Sequence, residues 1–394
     1  MGWPHDSAKL DRVRTLMAAE GVDTLVVRAP DNVSYLTNYW PMKGYDVAIV
    51  PLEGEPTLLV MEPQYEEAQR TAWTADVQPF PFYDARDPRP PAVRAQALCV
   101  ELLRERGAGR VGLERSQGTQ GADRMVGEPT VFWSGWFDGF DAVATEVLDA
   151  APLLARARMI KTAQEVERMR LANELATLAM EHVRELIRPG MRESEIGAIF
   201  EGHVHAIGTG YKGRVELARA FTLVWSGPGI RTFTATGDRP VCADQPTLLE
   251  IWVCADGYWS DLTKNACPGP LRADYEVLLD GLLAVYGAAV AHLRPGASLA
   301  ELDTLIRDGI AELGYPGQPS HPICHGVGAR AHEPPFAHAA VPAAIEEGMV
   351  LAIEPAAYWP GGGGLRLEDN FLVTADGSER LSGYPDDFRL AGAR

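Results

Sequence analysis

Positive charge is what this chain is short of. Of its 394 residues, 36 are Lys or Arg against 54 Asp or Glu, a formal net charge of −18. So acidic a composition excludes a protein built to hold nucleic-acid phosphates, which require a positive face. It equally disfavours docking on anionic membranes. Long apolar runs are missing as well: no stretch approaches the roughly 18 residues that a membrane-crossing helix needs. Cysteine is scarce. Cys99, Cys242, Cys254, Cys267 and Cys324 are odd in number, scattered and without CxxC pairing. That excludes a disulfide framework or a zinc knuckle and fits reduced thiols. No basic segment leads into an apolar one at the start of the sequence, so the expected location is the cytoplasm. What is present is ordinary globular material, 46% hydrophobic and 23% charged, with length for two domains.

The first 150 residues alternate helical and strand-like segments. Lys9–Glu20 has helical periodicity and stops at Gly21, and Val22–Val27 is a short apolar strand. Val47–Val50 and Thr57–Val60 read as a hairpin turning at Glu53-Gly54-Glu55. The proline-rich stretch Pro79–Pro91 interrupts regular structure before a helix from Val93 to Arg106, and Val111–Leu113 adds a strand. No nucleotide-binding glycine loop is present. These features predict a small α/β domain with a boundary near Leu154–Lys161. Beyond it, Thr162 and Glu165 form a capping box that opens a long amphipathic helix to Ile187. An internal echo follows. Arg188-Pro189-Gly190 leads to a helix over Glu193–Ile207, and Arg294-Pro295-Gly296 leads to the capping box Ser298–Glu301 and a helix ending at Leu313. Each copy runs on into strand-like sequence, which predicts a duplicated, pseudo-symmetric α+β domain.

Three segments of the second half set acids and histidines on apolar strands. Leu248–Lys264 (LLEIWVCADGYWSDLTK) reads as a hairpin turned by Ala255-Asp256-Gly257. With a two-residue loop at Ala255-Asp256, Glu250 stands opposite Asp261 and Trp252 opposite Trp259; a bulged loop would alter that pairing. Two buried carboxylates across a ladder repel unless one binds a proton or a cation lies between them. The second segment holds His321, His325 and His332, three of the nine histidines, with Gly326 and Gly328 beside the middle one. Histidine is the commonest transition-metal ligand and acid–base group. In the third segment Glu354 ends the apolar run Met349–Pro355. After the turn Gly361–Gly364, the strand Leu365–Thr374 puts Arg366 and Glu368 on one face. Any one of these acids alone reads as an exposed strand end. Together, four carboxylates and a histidine cluster point to a carboxylate-rich two-metal site. Its hard oxygen ligands and one imidazole suit manganese, iron, cobalt or zinc better than copper.

This ordered set resembles the pita-bread metallohydrolases: aminopeptidase P, Xaa-Pro dipeptidase (prolidase), methionine aminopeptidase and the related creatinase. LDRVRTLMAAEGVDTLVV and PDNVSYLTNY look like the creatinase/prolidase N-terminal domain, and MIKTAQEVERMRLAN looks like the entry helix of the pita-bread domain. The resemblance implies an α+β chain, with a creatinase-like α/β N-terminal domain over residues 1–155 and a pseudo-symmetric pita-bread catalytic domain over 156–394. It implies two divalent ions held by Glu250, Asp261, His325, Glu354 and Glu368, with Asp261 and Glu368 bridging. Glu354 would also shuttle a proton, His332 would stabilise the tetrahedral intermediate, and His321 and Arg366 would orient substrate or ligand. Family members are commonly homodimers; the loop Tyr39-Trp40-Pro41-Met42 is a candidate for that contact, or packs within its own domain. Three departures stand out. Glu250 replaces the usual first Asp, as it does in creatinase, and Trp252 replaces the usual small residue two positions on. Ser226–Pro240 also lacks the histidine that family peptidases generally carry ahead of the first acid.

The leading expectation is therefore a metal-dependent hydrolase of the Xaa-Pro peptidase/creatinase type, attacking an amide bond of a small peptide or peptide-like substrate. A second reading makes Trp252 and Trp259, with Trp225 and Trp359 nearby, an aromatic wall for a small cationic non-peptide substrate held by cation–π attraction. Such a protein would be a creatinase-like C–N hydrolase or a lyase. A third is a binding module that kept the fold and lost the chemistry. Cys254 and Cys324 lie beside proposed ligands but have no base partner, so they read as inert.

Overall fold

The computed structural model describes residues 3–116, 132–231, 234–315, 319–359, 361 and 363–390. Residues 232 and 233 of the Ser226–Pro240 span, and 362 of the Gly361–Gly364 turn, lie outside them. The chain divides into two compact units, Met1–Arg158 and Met159–Arg394.

In the first unit the order is α1 (Ser7–Glu20), β1 (Thr24–Val27), α2 (Pro30–Thr37), β2 (Val47–Pro51), β3 (Thr57–Met61), α3 (Tyr65–Thr71), β4 (Asp76–Phe80), α4 (Pro91–Arg106), β5 (Arg110–Leu113), α5 (Ser134–Asp138), β6 (Glu146–Asp149) and α6 (Ala151–Met159), the last running one residue past the division. The strands form one sheet in the order β4-β3-β2-β1-β5-β6. The expected hairpin is there, with Val47 opposite Leu59 and Gly54 supplying a positive φ of 96° in its loop. Helix α1 starts two residues earlier than its periodicity suggested, because Asp6 caps it by accepting the Lys9 N–H. Helix α2 was not read from the sequence. Every one of its eight residues is buried, so it carries no polar face to betray a helical period.

In the second unit follow α7 (Ala163–Leu186), α8 (Glu193–Gly208), β7 (Ala218–Ser226), β8 (Thr247–Ala255), β9 (Tyr258–Ala266), α9 (Ala273–His292), α10 (Leu299–Glu312), β10 (Cys324–Gly326), β11 (Glu333–Phe336), β12 (Val350–Ile353), β13 (Ala356–Trp359), β14 (Gly363–Arg366), β15 (Asp369–Thr374) and β16 (Gly377–Arg380). Three sheets result: β7-β8-β9, β11-β10-β12-β15-β16 and the pair β13-β14. Helices α7 and α8 pack on the first sheet, and α9 packs on β12 and β14 with α10 beside it. The capping box that opens α7 forms in full, and Thr162 and Ser298 each accept the N–H of the Glu three residues on.

The internal echo is structural. Gly190 and Gly296 take positive φ of 85° and 84°. Their N–H groups donate to Val241 and Ile345 carbonyls, and isolated bridges join Arg192 to Pro240 and Ser298 to Ala344. One turn, docked in one way, serves both halves. Between the halves, a bridge from Thr263 to Glu368 ties β9 to the second sheet, and the acids and histidines gather there. Among the described residues no helix is long and apolar enough to cross a membrane.

Candidate metal centre

The β8–β9 hairpin decides where the first two acids point. Its loop is Asp256-Gly257, at φ 46° and 82°, and not Ala255-Asp256. Both loop residues of the tight turn need positive φ, which Gly and Asp tolerate and Ala does not. The Asp256 carboxylate also accepts the N–H groups of Glu216 and Leu217, pinning the turn. The register therefore shifts from the expected one. Glu250 stands opposite Thr263, Trp252 opposite Asp261, and Cys254 opposite Trp259. Glu250 and Asp261 still share a face, as diagonal neighbours instead of direct ones.

His325, on β10, is brought to these acids by pairing with Ala352 of β12, whose strand ends just before Glu354; Glu368 precedes β15, the next strand over. His325 Nε2 lies 3.3 Å from Glu354 Oε1, 3.8 Å from Asp261 Oδ2 and 3.9 Å from Glu368 Oε1. Donors about 2.1 Å from a shared ion stand about 3–4 Å apart, so these spacings fit one. Among the described residues, two groupings have donor atoms within 4.8 Å of one another: Asp261, His325 and His332, and His325, Glu354 and Glu368. The His325 Nδ1 stands 3.0 Å from the Gly326 carbonyl. Donation there leaves the Nε2 lone pair facing the acids. Neither that nitrogen nor Asp261 Oδ2 has a hydrogen-bond partner, although both are buried. Orphaned buried donors of this kind fit a cation.

Electrostatics lead to the same place. Burial, then the charges of Glu368, Glu354 and Glu250, raises the Asp261 pKa well above the carboxylate range. Burial and Glu354 push Glu368 up to about 7. Burial works to raise Glu354 too, but the His321 and His325 imidazoles outweigh it and hold Glu354 low. The four acids are buried together, and two histidines and Arg366 offset part of their charge. The Arg366 guanidinium is 2.9 Å from Glu250 Oε2, with Glu354 and Glu368 oxygens at 3.8 and 3.9 Å. Its Nε donates to Thr263 Oγ1, which donates on to Glu368 Oε2 at 2.7 Å.

The remaining expected residues divide. His332 lies at the edge of the site, its side chain 37% exposed, 3.4 Å from Asp261 and stacked on the His325 ring. His321 is buried with both nitrogens engaged: Nδ1 is 3.0 Å from Glu354 Oε2, and Nε2 is 3.2 Å from the Tyr358 hydroxyl. Of the four tryptophans, Trp225, Trp252 and Trp259 lie on the same face of the first sheet as Glu250 and Asp261. Trp259 is buried one row from Asp261, Trp225 packs with Ile230 and Leu248, and Trp359 sits against Tyr275 and Tyr315. Trp252 stands directly opposite Asp261, its ring stacked on Phe221 at 5.5 Å. Cys254 and Cys324 are buried, and burial raises both thiol pKa values, which bears out their reading as inert. Tyr39 is buried in its own unit, while Met42 of the same loop is 45% exposed.

Several site residues went unread. Tyr358 alternates with Ala357 just after Glu354, and that alternation was its one signal. Asn370 clamps the Asp261 backbone by two hydrogen bonds, of 3.0 and 2.7 Å. Lys161, from the linker into α7, forms a buried ion pair with Glu333, the neighbour of His332. A clamp between residues so far apart in the chain has no local pattern.

Comparison with known proteins agrees with this geometry. Residues 9–160 match the Creatinase/Prolidase N-terminal domain, and residues 167–375 match metallopeptidase family M24. An uncharacterised peptidase of Bacillus subtilis, YqhT, is 25% identical over 96% of this chain and 99% of its own. The Xaa-Pro dipeptidase of Lactobacillus helveticus is 25% identical over 98% and 99%. The crystal structure of the prolidase from Pyrococcus horikoshii superposes with a TM-score of 0.79 at 24% identity, covering 97% of this chain and 99% of that one. With the family match spanning more than half of the chain and the whole fold shared, this protein is a hydrolase of metallopeptidase family M24.

Proposed function

We propose that the protein cleaves the amide bond of a small Xaa-Pro peptide, at a centre where Asp261, His325, Glu354 and Glu368 hold divalent metal of the manganese, cobalt, zinc or iron class. When bound, the metal supplies a water acidified to near neutral pH and a Lewis acid for the scissile carbonyl. The protein's own groups do the rest. Glu354 accepts the proton of the attacking water and returns it to the leaving amine. His332, half exposed at the rim, donates to the oxygen that becomes negative in the tetrahedral intermediate. His321, locked between Glu354 and Tyr358, acts as a positioning residue for Glu354 and not as a contact to substrate.

The observation that carries this reading is the pair of buried, unsatisfied donors, His325 Nε2 and Asp261 Oδ2, turned towards each other beside two further carboxylates. The sequence similarity to Xaa-Pro dipeptidases supports the peptide substrate. We extend the proposal to a homodimer in which the exposed Met42 loop makes subunit contacts. Chelation is expected to abolish Xaa-Pro dipeptide hydrolysis, and Mn²⁺ or Co²⁺ to restore it. Full activity in a rigorously metal-free preparation would overturn the reading. So would turnover of creatine, ectoine or a sulfonium compound without turnover of peptides.

A further inference from the structure

Several histidines of this chain are engaged by the backbone. His292, His325 and His338 each set a ring nitrogen against a main-chain group at 3.0 Å, and His321 does so at 2.8 Å. His182 and His203 are different. His182 lies on α7 and His203 on α8, and their rings stack with centroids 4.2 Å apart and planes 22° off parallel. Both are half-buried. Among the described residues, no protein group shares a hydrogen bond with either ring. Burial, then the neighbouring His182 imidazole, lowers the His203 pKa, against a smaller opposing pull from the Glu185 carboxylate. A ring held neutral keeps one nitrogen lone pair for a ligand. Glu185 follows His182 by one turn on the same side of α7 and is exposed.

What such a pair can hold follows from its donors. Two stacked imidazoles present nitrogens about one ring separation apart, close to the spacing of about 3–4 Å between donors that share an ion. Imidazole suits copper, nickel and zinc, whereas manganese stands at the weak end of the first-row series and prefers carboxylate oxygen. Among the described residues no third donor converges here within 4.8 Å as it does between the sheets. Water therefore completes the coordination unless Glu185 swings in. We propose that His182 and His203 form a second metal site, on the surface and separate from the catalytic centre, for a divalent ion of the copper, nickel or zinc class. Helix α7 packs on β8 and β9, and α8 on β7. An ion held here ties together the two helices that back the sheet carrying Asp261.

The test is Cu²⁺ alone, titrated into the full-length protein supplied with Mn²⁺ and followed by calorimetry and by electron paramagnetic resonance. The wild type should bind one equivalent more than His182→Ala or His203→Ala, and the spectrum of that equivalent should be split by two imidazole nitrogens. In each variant its affinity should fall at least about 10-fold. His203→Gln, which keeps the size and polarity of the side chain, should lose it in the same way. His325→Ala, which removes the imidazole from the catalytic centre, should retain it. Equal Cu²⁺ uptake by the wild type and the His182 and His203 variants would overturn the proposal, and so would absence of uptake by the wild type. Loss of the equivalent in His325→Ala would overturn it too, by placing the ion in the catalytic centre.

Discussion

Replacing Lys161 by Met tests how the edge of the site is held. Lys161 Nζ lies 2.9 Å from Glu333 Oε1, and both side chains are 1% exposed. The pair is packed so closely over Gly328 that a Cβ there would meet Glu333 Oε1 at 2.5 Å and Lys161 Cε at 2.9 Å. At 2.9 Å the bare attraction is about 6 kcal/mol with an effective dielectric constant of about 20. Desolvation of both ions offsets most of that, so the intact pair adds little net stability. Removing one partner is different, because the survivor stays buried with this partner lost. Lys161→Met should therefore cost about 2–3 kcal/mol. The double variant Lys161→Met/Glu333→Leu should recover much of this, giving a coupling energy of at least about 2 kcal/mol. Because Glu333 follows His332 directly, Lys161→Met should also lower kcat/KM for an Xaa-Pro dipeptide. Urea unfolding of the four proteins of the cycle measures the first effect and steady-state kinetics the second. Additive stability changes within 0.5 kcal/mol, or a single-variant cost below about 1 kcal/mol, would refute the reasoning.

Two further perturbations bear on other parts of the molecule. Asp46 is fully buried beside Tyr39, accepts the Met61 N–H at 3.2 Å, and burial pushes its pKa from 3.8 up to about 7. Since the folded value exceeds the unfolded one, its contribution to stability is complete below about pH 4 and is lost as pH rises through about 7. The loss amounts to about 4 kcal/mol at most. Asp46→Asn should flatten that slope, and urea midpoints at pH 4.5 and 8 that move equally in both proteins would contradict it. Gly257→Ala places a Cβ at φ 82° in the β8–β9 turn. It should cost about 1–2 kcal/mol and weaken Mn²⁺ binding through Asp261, which calorimetry would detect; unchanged affinity and midpoint would show that the turn does not set the register.

Legibility followed the range of the interactions. The helix starts at Thr162 and Ser298, the repeated Arg-Pro-Gly turn and the order of acids and histidines were all readable, because capping, φ restriction and strand alternation act within a few residues. The hairpin register was nearly so. It missed because Asp256-Gly257, and not Ala255-Asp256, can adopt two positive φ values, a distinction that was present in the residues themselves. Helix α2 was hidden because a segment buried on every side shows no period. Asn370, Tyr358 and the Lys161–Glu333 pair were hidden because each acts across tens or hundreds of residues.

The sequence by itself determined the chemistry on offer: a family-like order of carboxylates and histidines, in a chain whose acidity already spoke against nucleic-acid binding. Tertiary structure alone decided how those groups are shared out. It set His325 between Asp261, Glu354 and Glu368, closed His321 in with Tyr358 and delivered Arg366 to Glu250. Charge allocation of that kind depends on distances of 3 to 4 Å between strands far apart in the chain. At that range burial and neighbouring charge outweigh whatever each residue would do alone.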